Sequence, residues 1–234
     1  MTRQIFLDTE TTGLDPKQGH RIIEVAGVEM INRRPTGKHF HRYLNPEREI
    51  DAGAVAVHGL TTEFLQDKPH FADIADELLE FLTGAELVIH NAPFDIGFLN
   101  SELTQLKRPP MSEYCPDVLD TLKLAKDLHP GQKNNLDALC RRYEVDNANR
   151  TLHGALLDAE LLAAVYLGMT RGQESLMMAV EVEQVVRAPV GSAQHAAIHV
   201  INADATELAA HQDTLTAIQK ESRGACLWLA EQAG

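Results

Sequence analysis

Three short stretches of the chain carry the side chains that could do chemistry. They are Asp8-Thr9-Glu10, the run from His90 to Asp95, and the run from His153 to Asp158. Together they offer carboxylates that can hold divalent metal ions and a histidine that can activate a water molecule. Two such ions about 3.5–4 Å apart can clamp the attacking and leaving oxygens of an in-line displacement. The pattern therefore predicts metal-assisted cleavage of a phosphodiester.

The carboxylates are expected to converge, although each also has an ordinary structural explanation. Residues two apart on a strand point to the same face, so Asp8 and Glu10 aim together from the end of a buried strand. Taken alone, they could equally be solvated acids at a strand end. Asp95 lies just inside a predicted helix, where the helix dipole favours an acid. Asp158 interrupts an apolar stripe and needs a partner, because an isolated buried charge is costly. Carboxylates and water suit magnesium or manganese.

Histidines supply the candidate proton acceptor. His153 stands five residues before Asp158, at the predicted start of the same helix. An imidazole with a pKa of about 6.5 accepts a proton from water at neutral pH. A capping or core histidine is the structural alternative. His90 ends a strand and is expected to support Asn91 or the metal loop, whereas His58, in a predicted loop before a helix, either contacts substrate or caps.

Composition bounds the class of protein. The 234 residues are 44% hydrophobic, enough for one domain with a core and an appendage. No apolar run reaches the length of a membrane span, and the N-terminus does not resemble a signal peptide, so a cytoplasmic location is expected. Cys115, Cys140 and Cys226 are predicted to be reduced, mostly buried thiols without zinc. The net charge of −13 excludes an independent nucleic-acid binder with a basic surface. A nucleic-acid substrate would be gripped over few nucleotides, with a partner keeping it nearby.

The hydrophobic pattern predicts an α/β layered domain with a mixed sheet, because strands come first and then alternate with helices. The residues Asn32–Gly37, which include a proline and a glycine, suit a hairpin connection. The predicted strands are Gln4–Leu7, Ile22–Met30, Lys38–Leu44 and Leu87–Ile89. The predicted helices are Phe71–Leu82, one that begins near Pro93, Leu136–Tyr143 with a cap at Asn134-Asn135, and one over residues 154–169.

The character of the sequence changes after Met178. Residues 179–197 lack a sustained period and contain proline, glycine and serine, which predicts a flexible linker. Beyond the linker, residues 198–202 suit a strand and residues 205–220 suit a helix. A segment as short as 198–234 cannot build its own core, so it is predicted to fold against another surface.

The three stretches, taken together, resemble the signature of the DnaQ-like 3′→5′ exonucleases. Asp-x-Glu, His-Asn-x-x-Phe-Asp and His-x4-Asp occur in the same order, and the spacing from His153 to Asp158 matches the subgroup with a histidine base. Further segments, such as Val57–Leu60 and Asn135–Cys140, resemble the proofreading members of that family in bacterial replicases. The resemblance spans domain 1–172 and the tail. It implies an RNase H-like fold with a five-stranded mixed sheet.

The same resemblance implies a role for each catalytic residue. Asp8 bridges two divalent ions, Mg²⁺ or Mn²⁺. Glu10 and Asp158 serve the ion that holds the attacking water, and Asp95 supports the other. His153 is the general base.

The resemblance also implies a pocket for the terminal nucleotide. Its residues are Thr11, Thr12, Leu14, His58, Asn91 and Phe94, together with Asp8, Glu10 and Asp158. Related chains can carry an acid near position 53 that reaches the terminal sugar, whereas this chain has Gly53. The loop Asp15–His20 is also short, so its substrate contacts are expected to differ.

Two segments after residue 172 resemble docking elements. Residues 173–178 resemble a peptide that binds a sliding clamp, in which Gln173 and Ser175 are polar contacts and Leu176 and Met178 are anchors. The frayed end of a helix is the alternative. The resemblance implies that residues 198–234 bind the polymerase subunit and that a small third subunit can bind the exonuclease domain. The candidate anchors for the polymerase are Leu227, Trp228 and Leu229.

Two rival functions stay open at this point. One is an enzyme of the same fold that trims RNA ends or short oligonucleotides. The other is a tether that mainly stabilises the assembly of polymerase and clamp. The two docking segments disfavour the first rival, and the complete set of carboxylates disfavours the second.

Overall fold

The first strand, β1 (Arg3–Thr11), lies in the middle of the sheet and carries the first site residues. Ile5 and Leu7 belong to one hydrophobic cluster and Phe6 to the other, so the strand is buried on both faces. The prediction ended this strand at Leu7. The strand continues because its ladder with the next strand runs as far as Thr11.

The computed structural model describes residues 2–148, 150, 152–171 and 203–222. Its sheet has the strand order β3-β2-β1-β4-β5. The strands β1, β2 and β3 are antiparallel neighbours, whereas β1, β4 and β5 run parallel. The other strands are β2 (Ile22–Ile31), β3 (Arg34–Tyr43), β4 (Glu86–Ile89) and β5 (Val118–Asp120). The five-stranded mixed sheet is confirmed.

The hairpin between β2 and β3 is tighter than predicted. Its turn consists of Asn32 and Arg33 alone, both with positive φ, 49° and 63°. Two successive residues of this kind are typical of the type I′ turn, whose twist matches the flanking strands. The prediction that Asn32–Gly37 forms the connection is therefore wrong, because β3 already begins at Arg34 and Pro35 pairs with Met30.

Helices cover both faces of the sheet. The helices α3 and α4 pack on the cluster that contains Ile5, and α6 and α7 pack on the cluster that contains Phe6. The predicted helices at 71–82, 136–143 and 154–169 are confirmed to within a residue, whereas α1, α2, α5 and β5 were not predicted. The helices are α1 (Ala52–His58), α2 (Thr62–Leu65), α3 (Phe71–Leu82), α4 (Ala92–Gln105), α5 (Thr121–Leu128), α6 (Leu136–Arg142) and α7 (Ala155–Met169).

The helix starts that matter for the site have local causes. Asn91 precedes α4 with φ of 70°, and a proline stands at the beginning of that helix. The side chain of Asn135 caps α6 by accepting a hydrogen bond from the amide of Ala138 at 3.0 Å. Gly154 is the N-cap of α7.

A second compact unit follows along the chain, and its described part is α8 (Ala205–Glu221). Asp204 caps this helix, and its backbone amide donates to the carboxylate of Glu207 at 3.0 Å. The helix predicted at 205–220 is thus confirmed. The clamp-like peptide 173–178, the linker 179–197, the strand predicted at 198–202, Cys226 and the anchors 227–229 lie outside the described residues.

Two further expectations concern the described part of the chain. Cys115 and Cys140 are free and buried there, as predicted. In those residues no helix combines the length and the apolar character that crossing a membrane requires.

A buried ion pair joins the start of β2 to α4. Arg21 donates to both carboxylate oxygens of Glu102, each at 2.7 Å, and the Glu102 side chain is only 2% exposed. The amide of Ile22 also donates to Glu102 at 3.3 Å. This contact locks the strand neighbouring β1 to the helix that carries Asp95.

Replacing Glu102 by Ala should lower the free energy of unfolding by roughly 3–5 kcal/mol, because it leaves the Arg21 guanidinium partly buried and unpaired. Glu77→Ala removes the partner of Arg42 in an exposed pair and should cost less than about 1 kcal/mol. Urea denaturation of both variants checks the difference. Equal losses in the two variants would contradict the locking role of Glu102.

Candidate active site and metal centre

Strand β1 brings two acids to one face of the sheet. Asp8 and Glu10 are on the same face as Phe6, the face that α7 covers. Thr9 points to the opposite face, and its hydroxyl donates to Asp95 Oδ1 at 2.7 Å. The alternation of a single strand thus assigns two carboxylates to the site and orients a third.

The other two acids arrive on helix N-termini. Asp95 lies in the first turn of α4 and Asp158 in the first turn of α7, and each residue is 3% exposed. The positive end of a helix dipole stabilises a carboxylate in the first turn. Ligand atoms of Glu10, His153 and Asp158 all lie within 4.8 Å of one another. The structure therefore brings together the residues that the sequence singled out.

Crowding of these acids favours their protonated forms in the protein without a cation. Burial raises the pKa of Asp8 well above its usual value, and the charges of Asp95, Glu10 and Asp158 raise it further. Burial and the charge of Asp158 raise the pKa of Glu10 to about 8. Burial raises the pKa of Asp95 to about 7, against the opposing hydrogen bond from Thr9. A cation that binds here would displace protons and relieve the repulsion.

Asp158 is the exception, because an arginine neutralises it. Burial would raise the pKa of this carboxyl, but hydrogen bonds from Arg150 and His153 hold it below its usual value. Arg150 donates from Nε to Oδ1 at 2.6 Å and from Nη2 to Oδ2 at 2.7 Å. Sequence reasoning assigned no role to Arg150, and the only available signal was that a buried Asp158 needs a partner.

His153 lies beside the acids but not within the helix. It precedes the N-cap Gly154, so its predicted place at the start of α7 is wrong by two residues. Its Nδ1 lies 3.4 Å from Asp158 Oδ2, and its side chain is 45% exposed. Its backbone amide donates to the carbonyl of Val57, at the end of α1, at 3.1 Å. The imidazole is therefore both adjacent to the carboxylates and accessible to water.

The donor set fits divalent cations. It combines four carboxylates from Asp8, Glu10, Asp95 and Asp158 with one imidazole, and hard oxygen donors are what such ions prefer. The raised pKa values of three of these acids show that their negative charges lack sufficient compensation from the protein itself. The carboxylates would hold the ions, and the ions would supply Lewis acidity to a water molecule and a phosphoryl group.

A cavity of about 400 Å³ opens beside the acids. Five of the predicted nucleotide-binding residues line it, namely Glu10, Thr11, Leu14, His58 and Phe94. The full lining is Thr9, Glu10, Thr11, Gly13, Leu14, Asp51, Gly53, Ala54, Val57, His58 and Phe94. Leu14 is 86% exposed, which places an uncovered apolar side chain at the rim.

Asp8 and Asp158, which belong to the acid cluster, do not line this cavity, and neither do Thr12 and Asn91. The side chain of Thr12 is buried, lies 3.1 Å from His20 Nδ1 and accepts a hydrogen bond from the Arg21 amide at 3.0 Å. It therefore supports the loop. Asn91 is exposed and is not part of the lining. Its backbone amide donates to Asp120 Oδ1 at 3.2 Å.

His58 ends α1 and is not in a loop, which corrects the prediction. Its Nδ1 accepts a hydrogen bond from the amide of Leu60 at 3.0 Å, so the ring carries its proton on Nε2. That Nε2 is buried and makes no hydrogen bond of good geometry with the described residues, although the backbone of Thr11 lies near enough to favour its N–H. Burial lowers the pKa of His58, which keeps the ring neutral. A buried N–H at a cavity wall that lacks a well-aligned acceptor can donate to a ligand.

His90 contacts the start of α5. Its Nδ1 lies 2.9 Å from the hydroxyl of Thr121, and this contact joins the end of β4 to the start of α5. Burial lowers the pKa of this imidazole. His90 thus steadies the turn before Asn91.

Comparison with known proteins decides which family has this arrangement. A model of an exonuclease family matches residues 5–166. The chain belongs to this exonuclease family. It is 51% identical over 247 aligned positions to DNA polymerase III subunit epsilon of Salmonella typhimurium and 50% identical over 247 to that of Escherichia coli K12, with 98% of each chain covered in both comparisons. A solved structure of exonuclease X in complex with 5′-overhanging duplex DNA matches with a TM-score of 0.57 and 29% identity, over 74% of this chain and 93% of the other.

Family membership confirms the expected DnaQ-like assignment and the RNase H-like fold. The activity is that of a 3′→5′ DNA exonuclease, and divalent metal ions belong to the chemistry of this family. The four acids and His153 are the part of the structure that suits this chemistry.

The raised pKa of Glu10 has a consequence for stability. Its folded-state value of about 8 exceeds the ordinary 4.5, so folding favours the protonated acid. The protein without metal should therefore lose stability as the pH rises from about 5 towards 9. Glu10→Gln mimics the protonated acid and should raise the melting temperature in EDTA at pH 8.5 by several degrees. Each kcal/mol of added free energy of unfolding corresponds to about 2–4 °C in a chain of this size.

Thermal denaturation of both proteins at pH 6 and pH 8.5 tests this prediction. Glu113→Gln, at an exposed position, is the control and should leave the melting temperature unchanged. An undiminished loss of stability with pH in Glu10→Gln would show that this carboxyl is not the titrating group.

Proposed function

We propose that this chain is the proofreading 3′→5′ exonuclease subunit of a bacterial DNA polymerase III. It removes mispaired 3′-terminal nucleotides from a primer and releases them as 5′-monophosphates. The observation that carries this proposal is the convergence of four carboxylates and His153 beside a cavity lined by His58. The identity of about 50% to epsilon subunits along nearly the whole chain supports the assignment to a replicase.

The proposed metal complement is two ions, Mg²⁺ or Mn²⁺. Asp8 would serve both ions, Glu10 and Asp158 would hold the one that activates the attacking water, and Asp95 would support the other. The crowding that raises the pKa of Asp8 supports this division, because its carboxyl is close enough to sense the charges of the other three. When bound, the ions lower the pKa of the water and neutralise charge on the phosphoryl group.

His153 is the proposed general base. It takes a proton from the attacking water, the new bond forms at phosphorus, and the bond to the 3′ oxygen of the shortened primer breaks. The position of its ring beside the acids, with Nδ1 3.4 Å from Asp158 Oδ2, supports this role. Its 45% exposure leaves the ring open to solvent for release of the proton.

The cavity holds the terminal nucleotide in this proposal. Phe94 and Leu14 offer apolar surface for the base or sugar, and the buried Nε2–H of His58 donates to a polar atom of the nucleotide. Gly53 lines the same wall and leaves it open, since an added Cβ would meet no atom within 4 Å. The sugar contact of an acid at this position is therefore missing, and the acids that line the cavity are Glu10 and Asp51.

Partners compensate for the acidic surface. With a net charge of −13, the chain gains little from phosphate neutralisation, so other subunits must present the primer end. The proposed partners are the alpha (polymerase) subunit through residues 198–234, the beta sliding clamp through residues 173–178, and a small theta-type subunit on the exonuclease domain. The complex works in the cytoplasm, at the nucleoid. Selectivity for mispairs follows from fraying, because an unstacked end reaches the metals more often.

Hydrolysis of a 5′-labelled primer with a mispaired 3′ end tests the activity and its base. Wild-type protein with Mg²⁺ or Mn²⁺ should shorten the primer stepwise, whereas His153→Ala and Asp8→Ala should lower the rate at least about 100-fold. His39→Ala removes an exposed histidine of β3 and should cleave normally. Full activity in Asp8→Ala would reject the metal assignment, and a strong preference for RNA ends would favour an RNA-trimming enzyme.

His58→Ala should mainly weaken substrate binding. The ring lines the cavity, so its loss removes a hydrogen bond to the nucleotide that contributes about 1 kcal/mol to binding. The KM should therefore rise several-fold, with a smaller change in kcat. Steady-state kinetics on a short single-stranded DNA gives both constants. A fall in kcat at constant KM would assign His58 to the chemical step.

A further inference from the structure

A buried arginine links the metal-binding acids to the loop that carries His153. The Arg150 side chain is 6% exposed and makes two hydrogen bonds to Asp158, at 2.6 and 2.7 Å. Its Nη1 donates to Asp137 Oδ1 at 2.6 Å, and its Nη2 lies 2.9 Å from His153 Nδ1. One guanidinium therefore contacts a candidate metal ligand, the candidate base and an anchor on α6.

We propose that Arg150 is a positioning residue of the exonuclease site. Its planar guanidinium fixes the orientation of the Asp158 carboxylate and holds the imidazole of His153 against it, while Asp137 keeps the guanidinium in place. This inference rests on the proposed function and extends it, because it gives a role to two residues, Arg150 and Asp137, that had none in the sequence analysis and are not in the donor set.

The carboxylate of Asp158 can serve the arginine and a cation together. An ionised carboxylate offers about four lone-pair sites, and the two hydrogen bonds from Arg150 occupy two of them. A carboxylate oxygen of Asp158 also lies within 4.8 Å of ligand atoms of Glu10 and His153. Arg150 thus need not leave when a metal binds. Groups that hydrogen-bond a metal ligand commonly fix its direction and tune its affinity.

The shape of the contact argues for arginine in particular. The two parallel bonds to Asp158 leave Nη1 directed at Asp137, so three directions are set by one rigid plane. A lysine offers a single point charge on a flexible stem and cannot reproduce this arrangement. Arginine and lysine both supply a positive charge. Replacing Arg150 by Lys therefore separates the effect of the charge from the effect of the hydrogen-bond geometry.

Asp137 anchors the arrangement from outside the acid cluster. It lies in the first turn of α6, its side chain is 42% exposed, and it also accepts a hydrogen bond from Asn147 Nδ2 at 3.3 Å. The path Asp137–Arg150–Asp158 therefore runs from α6 to α7 and crosses the segment that ends at His153. Asp137 contacts Arg150, whereas Arg150 itself contacts Asp158. A substitution at Asp137 therefore changes the path without removing a direct contact to a carboxylate of the site.

A merely structural ion pair would act differently from a positioning residue. If Arg150 only stabilised the fold, its loss would lower the melting temperature but leave the folded enzyme with normal metal affinity and turnover. If Arg150 orients Asp158 and His153, its loss changes metal affinity and kcat in the folded protein. KM for DNA should change little in that case, because Arg150 does not line the nucleotide cavity.

The test compares Arg150→Ala, Arg150→Lys and Asp137→Asn in the full chain. Arg108→Ala is the matched control, since Arg108 pairs with Asp76 at 2.6 Å on the exposed surface. For each protein, the Mn²⁺ dissociation constant is measured by electron paramagnetic resonance of the free ion, independently of activity. The kcat and KM are measured on a single-stranded oligonucleotide, and melting temperatures are measured with Mn²⁺ and with EDTA.

In Arg150→Ala, the combined loss in Mn²⁺ affinity and kcat should be roughly 10–100-fold. The KM should stay nearly unchanged. Arg150→Lys should recover the melting temperature in EDTA but only part of the Mn²⁺ affinity and of kcat. In Asp137→Asn, the Mn²⁺ affinity and kcat together should fall several-fold. Wild-type Mn²⁺ affinity and kcat in a folded Arg150→Ala protein would overturn the proposal. If Arg150→Ala does not fold, full affinity and kcat in both Arg150→Lys and Asp137→Asn would overturn it.

This design separates two failures. If the wild-type chain does not cleave DNA, the proposed function fails, and the Mn²⁺ affinities of the variants still decide whether Arg150 positions the metal ligand. If the wild type cleaves and the variants match it in affinity and kcat, only the role of Arg150 is rejected.

Discussion

Mutual repulsion among buried carboxylates is the constraint on which the rest of this structure depends. Asp8, Glu10, Asp95 and Asp158 share one small volume, and burial would drive their protons back on in the absence of a cation. The fold offsets this cost with fixed dipoles and donors. Two of the acids occupy the first turns of helices, where the dipole favours them. Thr9 donates to Asp95, and Arg150 donates twice to Asp158.

The elements around the acids are best understood as the means of holding them against that repulsion. The backbone of β1 is held on both sides, because it pairs antiparallel with β2 and parallel with β4. The helix α4 is fixed to β2 through Arg21 and Glu102. The loop with His153 is fixed at Val57 by a backbone hydrogen bond and packs Leu152 against Gly59, where a Cβ would come within 2.6 Å of Leu152 Cδ1. Gly59 ends α1 with φ of 72°, a conformation that glycine adopts without strain.

The parts that could be predicted from sequence are those governed by local periodicity and residue type. The stripe of α3 has a helical period over twelve residues, and its bounds agree with the structure. The acids were found because carboxylates at strand ends, helix starts and apolar stripes are chemically unusual. The short helices α1 and α2 were missed because seven and four residues give no clear period. Their stability comes from tertiary contacts instead.

Long side chains mark the limit of sequence reasoning at the site. Arg150 lies eight residues before Asp158, too far for any periodic rule to pair them, and its partners come from α6, α7 and the intervening loop. The prediction for Thr12 fails in the opposite way, because it assigned a substrate contact that the structure does not show. It belongs to a stretch that suits substrate contact, yet its hydroxyl is committed to the Arg21 amide. In both cases the tertiary arrangement decides which hydrogen bonds form.

Substrate binding and metal binding at this site cannot be independent. A DNA phosphate that approaches the unneutralised acids meets negative charge from the cluster and from a chain of net charge −13. Of the cationic side chains in the described part of the chain, the one that contacts the cluster is Arg150, and two carboxylates, Asp158 and Asp137, already engage it. Positive charge for the phosphate must therefore come from the metal ions. Because such coupling is reciprocal, the phosphate in turn strengthens metal binding. The same acids that repel DNA in the metal-free protein thus make its binding conditional on a loaded site.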